Sequence, residues 1–252
     1  MTASFTQVPL VDFNALDDYA TELLHDAMPE VLVAPCPVDI AWFLEFYLGL
    51  EVIYRRLSYD RQILGMTAFS PGFVQVLDDV TGQPMPMRIN TGTVIVDPLL
   101  MIKRNIHRHR FTYAHEGSHW LIHRRAYSAS NPFGTASKYE NQYLAAKEGR
   151  IDYSRCQKER TENERMERQA DFLASAILIP KPMLRMAYRE FFRLSGDKPR
   201  RVVRGVNALD DCYAKQLPMY ISQTFNVSKR AALIRLEKLG AIVDCHRFGY
   251  FA

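Results

Sequence analysis

The hydrophobic pattern changes period near residue 105. Before it, short β-branched or aromatic runs at 51–57, 63–69, 72–77 and 92–96 are separated by Pro, Gly and Asp turns, and they predict a small antiparallel sheet. After it the period is helical, with helices expected at 107–126, 137–147, 159–179 and 182–194. Pro180 and Pro182 close the third of these sharply. Two helices precede the sheet, at 15–27 and 38–49. In the second, Ile40, Phe43, Leu44, Tyr47 and Leu48 recur at i, i+3, i+4, i+7 and i+8, and Gly49 stops the run. Toward the carboxyl end, residues 218–225, the turn Asn226-Val227, an N-cap at Ser228 and a helix over 229–239 closed by Gly240 read as a helix-turn-helix. Strands followed by helices make an α+β fold. The expected organisation is an acidic extension at 1–34, a main domain at 35–204, and a helix-turn-helix-like subdomain at 205–252. No internal repeat or low-complexity tract interrupts it.

Composition narrows the class. With 252 residues, 48% apolar and 24% charged, the chain can bury a real core. A net charge of +4 permits an acidic partner but is too small to announce nucleic acid. Cys36, Cys156, Cys212 and Cys245 form no CxxC pair, so free thiols are expected in place of a zinc ribbon or disulfide framework. Residues 1–24 lack a basic start followed by an apolar block and carry Asp12, Asp17 and Asp18, unlike a secretory signal. The most apolar stretch, 40–54, is broken by Glu45 and Glu51 and falls short of the roughly 20 residues a membrane helix needs. The expectation is a soluble cytoplasmic protein with no membrane partner.

The chemistry-bearing segment is His115-Glu116-Gly117-Ser118-His119, an HExxH motif. Residues four apart on a helix share a face, so His115 and His119 can offer ring nitrogens to one metal ion. Glu116 is turned about 100° round the axis, which puts its carboxylate beside the metal as a general base for a bound water. A catalytic zinc needs a third protein ligand and an open position. Glu167 lies 48 residues after His119, and Asp171 lies one turn beyond it. Glu167 can be that ligand, while Asp171 accepts a hydrogen bond from the unligated nitrogen of a zinc histidine. Two nitrogens and a carboxylate suit zinc and tolerate manganese or iron.

These residues resemble the ImmA/IrrE family of zinc metallopeptidases. The likeness rests on Arg110-Phe111-Thr112, Ala114-His115-Glu116, His119-Trp120, Glu167, Ala170, Asp171, Ala174 and the helix end Ile177-Leu178-Ile179-Pro180. Phe225-Asn226-Val227-Ser228, Ala231-Ala232, Arg235-Leu236 and Leu239-Gly240 add to it, so the similarity spans about 36–240. It implies a gluzincin-like, zincin-type core with Zn2+ on His115, His119 and Glu167, and endopeptidase activity with Glu116 as base. The implied partner is a protein, in many members a transcriptional repressor. The chain departs from the family at Gly117-Ser118, where a bulkier pair is usual, at Asp171, where Asn is frequent, and at Phe172, which sits one place early.

Several residues admit a second reading. Glu159, Glu162, Glu164 and Glu167 lie among Lys and Arg and equally suit a solvated, salt-bridged helix face. His123 follows His119 by four, but the three-histidine pattern places its last ligand further on, so a packed or solvated histidine is expected. The run from Lys103 to Arg110 reads first as a solvated helix start, with steering of an acidic substrate or contact with nucleic acid as the alternatives. Oxyanion donors could come from His123, Arg124, Tyr127, Tyr139 or Tyr143. In the helix-turn-helix, Ala232, Leu233, Leu236 and Leu239 describe a packing face, against the alternative of a zinc-bearing DNA-binding regulator.

Overall fold

The computed structural model describes residues 11–130, 143–147 and 162–245. It divides into two compact units, one of residues up to Leu16 with Asp39–Ala174, the other of Asp17–Val38 with residues from Ser175 onward. No helix among the described residues is long and apolar enough to cross a membrane. Mixed helix and small sheets agree with the expected α+β class.

In the first unit a four-stranded sheet has the order β1 (Glu51–Tyr54), β5 (Thr93–Val96), β2 (Ile63–Ala68), β6 (Tyr143–Lys147). Strands β3 (Gly72–Leu77) and β4 (Pro84–Ile89) form a separate antiparallel ribbon. Two expectations are corrected here. The sheet is not wholly antiparallel: β1 pairs with β5 in parallel, Glu51 opposite Thr93 and Tyr54 opposite Val96. The long excursion through β2, β3 and β4 supplies the crossover that parallel pairing needs. Residues 143–147, expected at the end of a helix, instead pair antiparallel with β2. Pairing with β2 overrides the high helix propensity of Leu-Ala-Ala-Lys, because intrinsic propensity is worth only tenths of a kcal/mol per residue and yields to tertiary context. The remainder of that expected helix lies outside the described residues.

Met66, Ala68, Val76, Ile89 and Ile95 form a buried cluster that joins the sheet to the ribbon. The long helix α3 (Ile106–Ser130) packs on the sheet and is buried almost continuously from Thr112 to His119. Tyr54 on β1 reaches both His109 Nε2 (3.1 Å) and the Tyr113 hydroxyl (2.5 Å) on α3. Phe69 stacks on Trp120, with ring centroids 6.4 Å apart.

The 38–49 segment forms a short α2 (Ile40–Trp42) that widens into a π-helical turn at Phe43–Tyr47. Its Leu44 explains the small residue inside HExxH: a Cβ on Gly117 would lie 2.9 Å from Leu44 Cδ1. Glycine there lets two helices approach at a helix-propensity cost of about 1 kcal/mol. At the start of α1 (Phe13–Ala27), Phe13 stacks on Phe172 of α4 (Glu162–Leu178), centroids 4.7 Å apart, which gives the displaced phenylalanine its role.

The second unit contains α5 (Lys181–Leu194), β7 (Val202–Arg204), α6 (Ala208–Phe225), α7 (Lys229–Lys238) and β8 (Ile242–Asp244), with β7 and β8 parallel. Its core includes Phe191, Phe192 and Tyr213, with the half-buried Tyr220 packed against Phe191. Asp17 of α1 and Arg235 of α7 form an ion pair with both side chains almost wholly buried, and Arg235 Nε also donates to Ile179 O. The turn falls where the sequence puts it, with Asn226 left-handed (φ 50°) and the Ser228 hydroxyl accepting from Ala231 N. The helix before it starts ten residues earlier than 218 and carries Pro218 in its interior. Among the described cysteines, Cys36, Cys212 and Cys245 are free.

Candidate metal centre

The periodicity of α3 and α4 decides what faces what. His115 and His119 stand one turn apart on α3, while Glu167 and Asp171 stand one turn apart on α4. The structure brings these pairs together. Glu167 Oε2 lies 3.3 Å from His115 Nε2, and Glu167 Oε1 lies 3.5 Å from His119 Nε2. One ligand atom from each of the three residues lies within 4.8 Å of the others. The imidazoles are buried, whereas the Glu167 side chain keeps 27% of its surface exposed, so the cluster has one side open to solvent.

Both histidines are oriented from behind. His115 Nδ1 is 2.9 Å from Asp171 Oδ1, an acceptor that keeps the proton on Nδ1 and turns the Nε2 lone pair toward Glu167. On the other ring, His119 Nδ1 is 2.9 Å from His123 Nδ1, and His123 Nε2 is 3.0 Å from Gln169 Oε1. The Gln169 amide oxygen can only accept, so His123 Nε2 donates to it and a neutral His123 accepts at Nδ1. His119 Nδ1–H is then the donor, and its Nε2 is left free for a metal. Burial and the neighbouring His119 push the His123 pKa down to about 3, consistent with that neutral form. His123 is therefore packed behind the cluster and does not join it.

Glu116 is fully buried beside the cluster. The Thr67 hydroxyl on β2 donates to its Oε2 at 2.7 Å and lies 3.1 Å from its backbone oxygen. The other oxygen, Oε1, has no hydrogen-bond partner among the described residues. An orphaned buried carboxylate oxygen is expensive, and burial raises the Glu116 pKa to about 8 although His115 and Thr67 pull it back. Burial alone would depress His115, but the Asp171 and Glu167 carboxylates outweigh it and hold its pKa well above the usual value. Burial would likewise raise Glu167, yet its hydrogen bonds to the two histidines hold it below the ordinary carboxylate range. His119 is lowered by burial and by His115. Without a cation, the three side chains have to share a proton between atoms as close as 2.9 Å, the distance between the two Nε2 atoms. Two imidazoles, a carboxylate held below its ordinary range and a back-bonded tautomer on each ring form a donor set that fits a divalent metal ion.

Sequence reasoning singled out His115, Glu116, His119, Glu167 and Asp171, and all five lie in this one cluster. It missed Thr67, Gly65 and Gln169. A Cβ on Gly65 would sit 2.5 Å from Glu116 Oε1, so that glycine makes room for the carboxylate. Among the proposed oxyanion donors, His123 is committed behind His119 and Arg124 lies over the Trp120 ring. The side chains of Tyr127, Tyr139 and Tyr143 lie outside the described residues.

Residues 148–237, just over a third of the chain, match the family model Peptidase_M78, the IrrE N-terminal-like domain. The matched stretch includes Glu167, Gln169 and Asp171 and starts after the HExxH helix. Comparison with curated proteins gave no match. The match supports the ImmA/IrrE resemblance read from the sequence: residues 148–237 are similar to the IrrE N-terminal-like domain of a metallopeptidase family.

Proposed function

We propose that the protein is a zinc-dependent endopeptidase of ImmA/IrrE type, built on a zincin-like core, that acts in the cytoplasm on a protein partner. A transcriptional repressor is the partner class we favour. The observation that carries the reading is the approach of His115, His119 and Glu167 to one point beside a buried carboxylate with one unpartnered oxygen. His115, His119 and Glu167 would hold the metal, with Asp171 and His123 fixing the ring tautomers. Zinc held there supplies a Lewis acid that acidifies water to a pKa of about 7 and polarises a carbonyl.

The chain's own residues do the proton work. Glu116 Oε1 takes a proton from the attacking water as its oxygen adds to the scissile carbonyl carbon, and Glu116 then delivers that proton to the departing amide nitrogen. Thr67 holds Oε2, which leaves Oε1, the oxygen without a hydrogen-bond partner among the described residues, to exchange the proton. Burial suits this role because it brings the carboxylate's proton affinity near neutrality, where a base can both accept and release.

Co-expression of wild type and Glu116→Gln with repressors encoded nearby tests the reading. Wild type should yield a fragment. The variant should retain stoichiometric metal and yield none. The alternative is a zinc-bearing DNA-binding regulator that uses the α6–α7 turn, whose helix α7 opens with the exposed cations Lys229 and Arg230. A salt-sensitive shift of duplex DNA, with no cleavage of any repressor, would favour that second reading.

A further inference from the structure

The second unit holds a concave site that the peptidase chemistry does not use. A cavity of about 400 Å³ lies between α5, the segment leading into β7 and the turn from α7 into β8. Lys181, Arg185 and Arg189 line it from α5, and Arg200 and Arg201 line it from the opposite side; among the described residues no acidic one lines it. Arg200 is ion-paired with Asp210. None of Lys181, Arg185, Arg189 and Arg201 is ion-paired with a carboxylate among the described residues. The nearest acid along α5, Glu190, is engaged by Arg193 through two hydrogen bonds of 2.7 and 2.6 Å.

This arrangement is locally unfavourable. Lys181, Arg185 and Arg189 recur at i, i+4 and i+8, so like charges stack along one face of α5. Lys181 and Arg185 also lie near the amino end of the helix, where its dipole disfavours cations. An anion in the cavity would reverse both penalties.

We propose that this cavity binds a small ligand carrying two or more phosphate groups, of the inorganic polyphosphate or nucleoside polyphosphate class. Guanidinium forks pair bidentately with phosphate oxygens, and four unpaired cations match the charge of a polyphosphate better than that of a single carboxylate. The volume lies in the range of small-molecule sites. The cations converge on a pocket, whereas a duplex backbone would be tracked by a stripe. Leu184, Tyr188 and Leu239 add an apolar wall that could cover a base or sugar.

The test is calorimetric titration of the full chain, at physiological ionic strength, with inorganic tripolyphosphate, with a nucleoside triphosphate and with a short DNA duplex. Saturable binding of a small polyphosphate, one per chain, is expected. Arg185→Ala and Arg189→Ala change exposed side chains and should each weaken it about tenfold, while Arg193→Ala, on the same helix but paired with Glu190, should leave it unchanged. Tighter binding of the nucleotide than of tripolyphosphate would place its organic part on the apolar wall; equal binding would assign recognition to the phosphates alone. Absence of saturable binding, binding insensitive to Arg185→Ala and Arg189→Ala, as metal chelation would be, or binding of the duplex alone would overturn the proposal. The outcome is independent of the peptidase reading.

Discussion

Replacing Gly65 by alanine adds one methyl group directly over the proposed base. The new Cβ would meet Glu116 Oε1 at 2.5 Å and Thr112 Cγ2 at 2.7 Å, where ordinary contact begins near 3.4 Å. Relief therefore requires a displacement of about 0.9 Å, and the carboxylate cannot swing away without losing the 2.7 Å hydrogen bond from Thr67. A misplacement of about 1 Å in a reacting group costs about a hundredfold in rate, or about 2.7 kcal/mol of barrier. The overpacking itself should cost about 1–3 kcal/mol of stability. The predicted phenotype is a kcat reduced by about two orders of magnitude, with one metal per chain retained and a modestly lower Tm. It is measured by the rate at which the wild-type fragment appears, by metal analysis and by thermal melting. Wild-type turnover in Gly65→Ala would show that Glu116 does not act from this position.

The back-bonded histidines give two further predictions. His123→Leu removes the partner of His119 Nδ1 and should weaken zinc binding about 10- to 100-fold in competition with a chromophoric chelator; an unchanged affinity would break the tautomer argument. Asp171→Ala should do the same at His115, whereas Asp171→Asn, which still offers an acceptor oxygen, should keep most of the affinity. Metal uptake should also depend on pH. His115, with its pKa raised in the metal-free chain, must lose a proton to bind, so apparent affinity should rise about tenfold per pH unit below that pKa; a flat profile from about pH 5.5 to 7 would contradict this. In the metal-free chain the same proton stabilises the fold at low pH, and that stabilisation is lost as pH rises through the raised value. Away from the site, Asp17→Ala strands a buried guanidinium and should cost about 3–5 kcal/mol by denaturant unfolding, while Asp17→Leu with Arg235→Met should recover most of it.

The site was legible where its chemistry repeats at helical spacing. His115 and His119 on one helix, and Glu167 and Asp171 on another, need only a period of 3.6 to share faces. What was hidden depends on partners distant in sequence. Thr67 and Gly65 read as ordinary strand residues, and their relation to Glu116 exists only because β2 lies against α3. Gln169 drew no notice within a charged helix, and only the packed ring of His123 gives it a role.

The same holds for the fold. Strand β4 was not expected because Pro84 and Pro86 argue against a central strand, but both are tolerated in a two-stranded ribbon. Three-residue strands such as β7 and β8 are too short to show a period. Nothing in the sequence ties the acid at Asp17 to Arg235, which lies 218 residues away.

X-ray absorption at the metal edge, on the full chain reconstituted with zinc, is the most direct test of the central claim. One ion per chain is predicted, with two imidazole nitrogens at about 2.0–2.1 Å and carboxylate oxygen at about 2.0–2.2 Å. That signal should be preserved in Glu116→Gln and lost in Glu167→Ala. A spectrum showing sulfur ligands, or one unchanged by Glu167→Ala, would contradict the assignment.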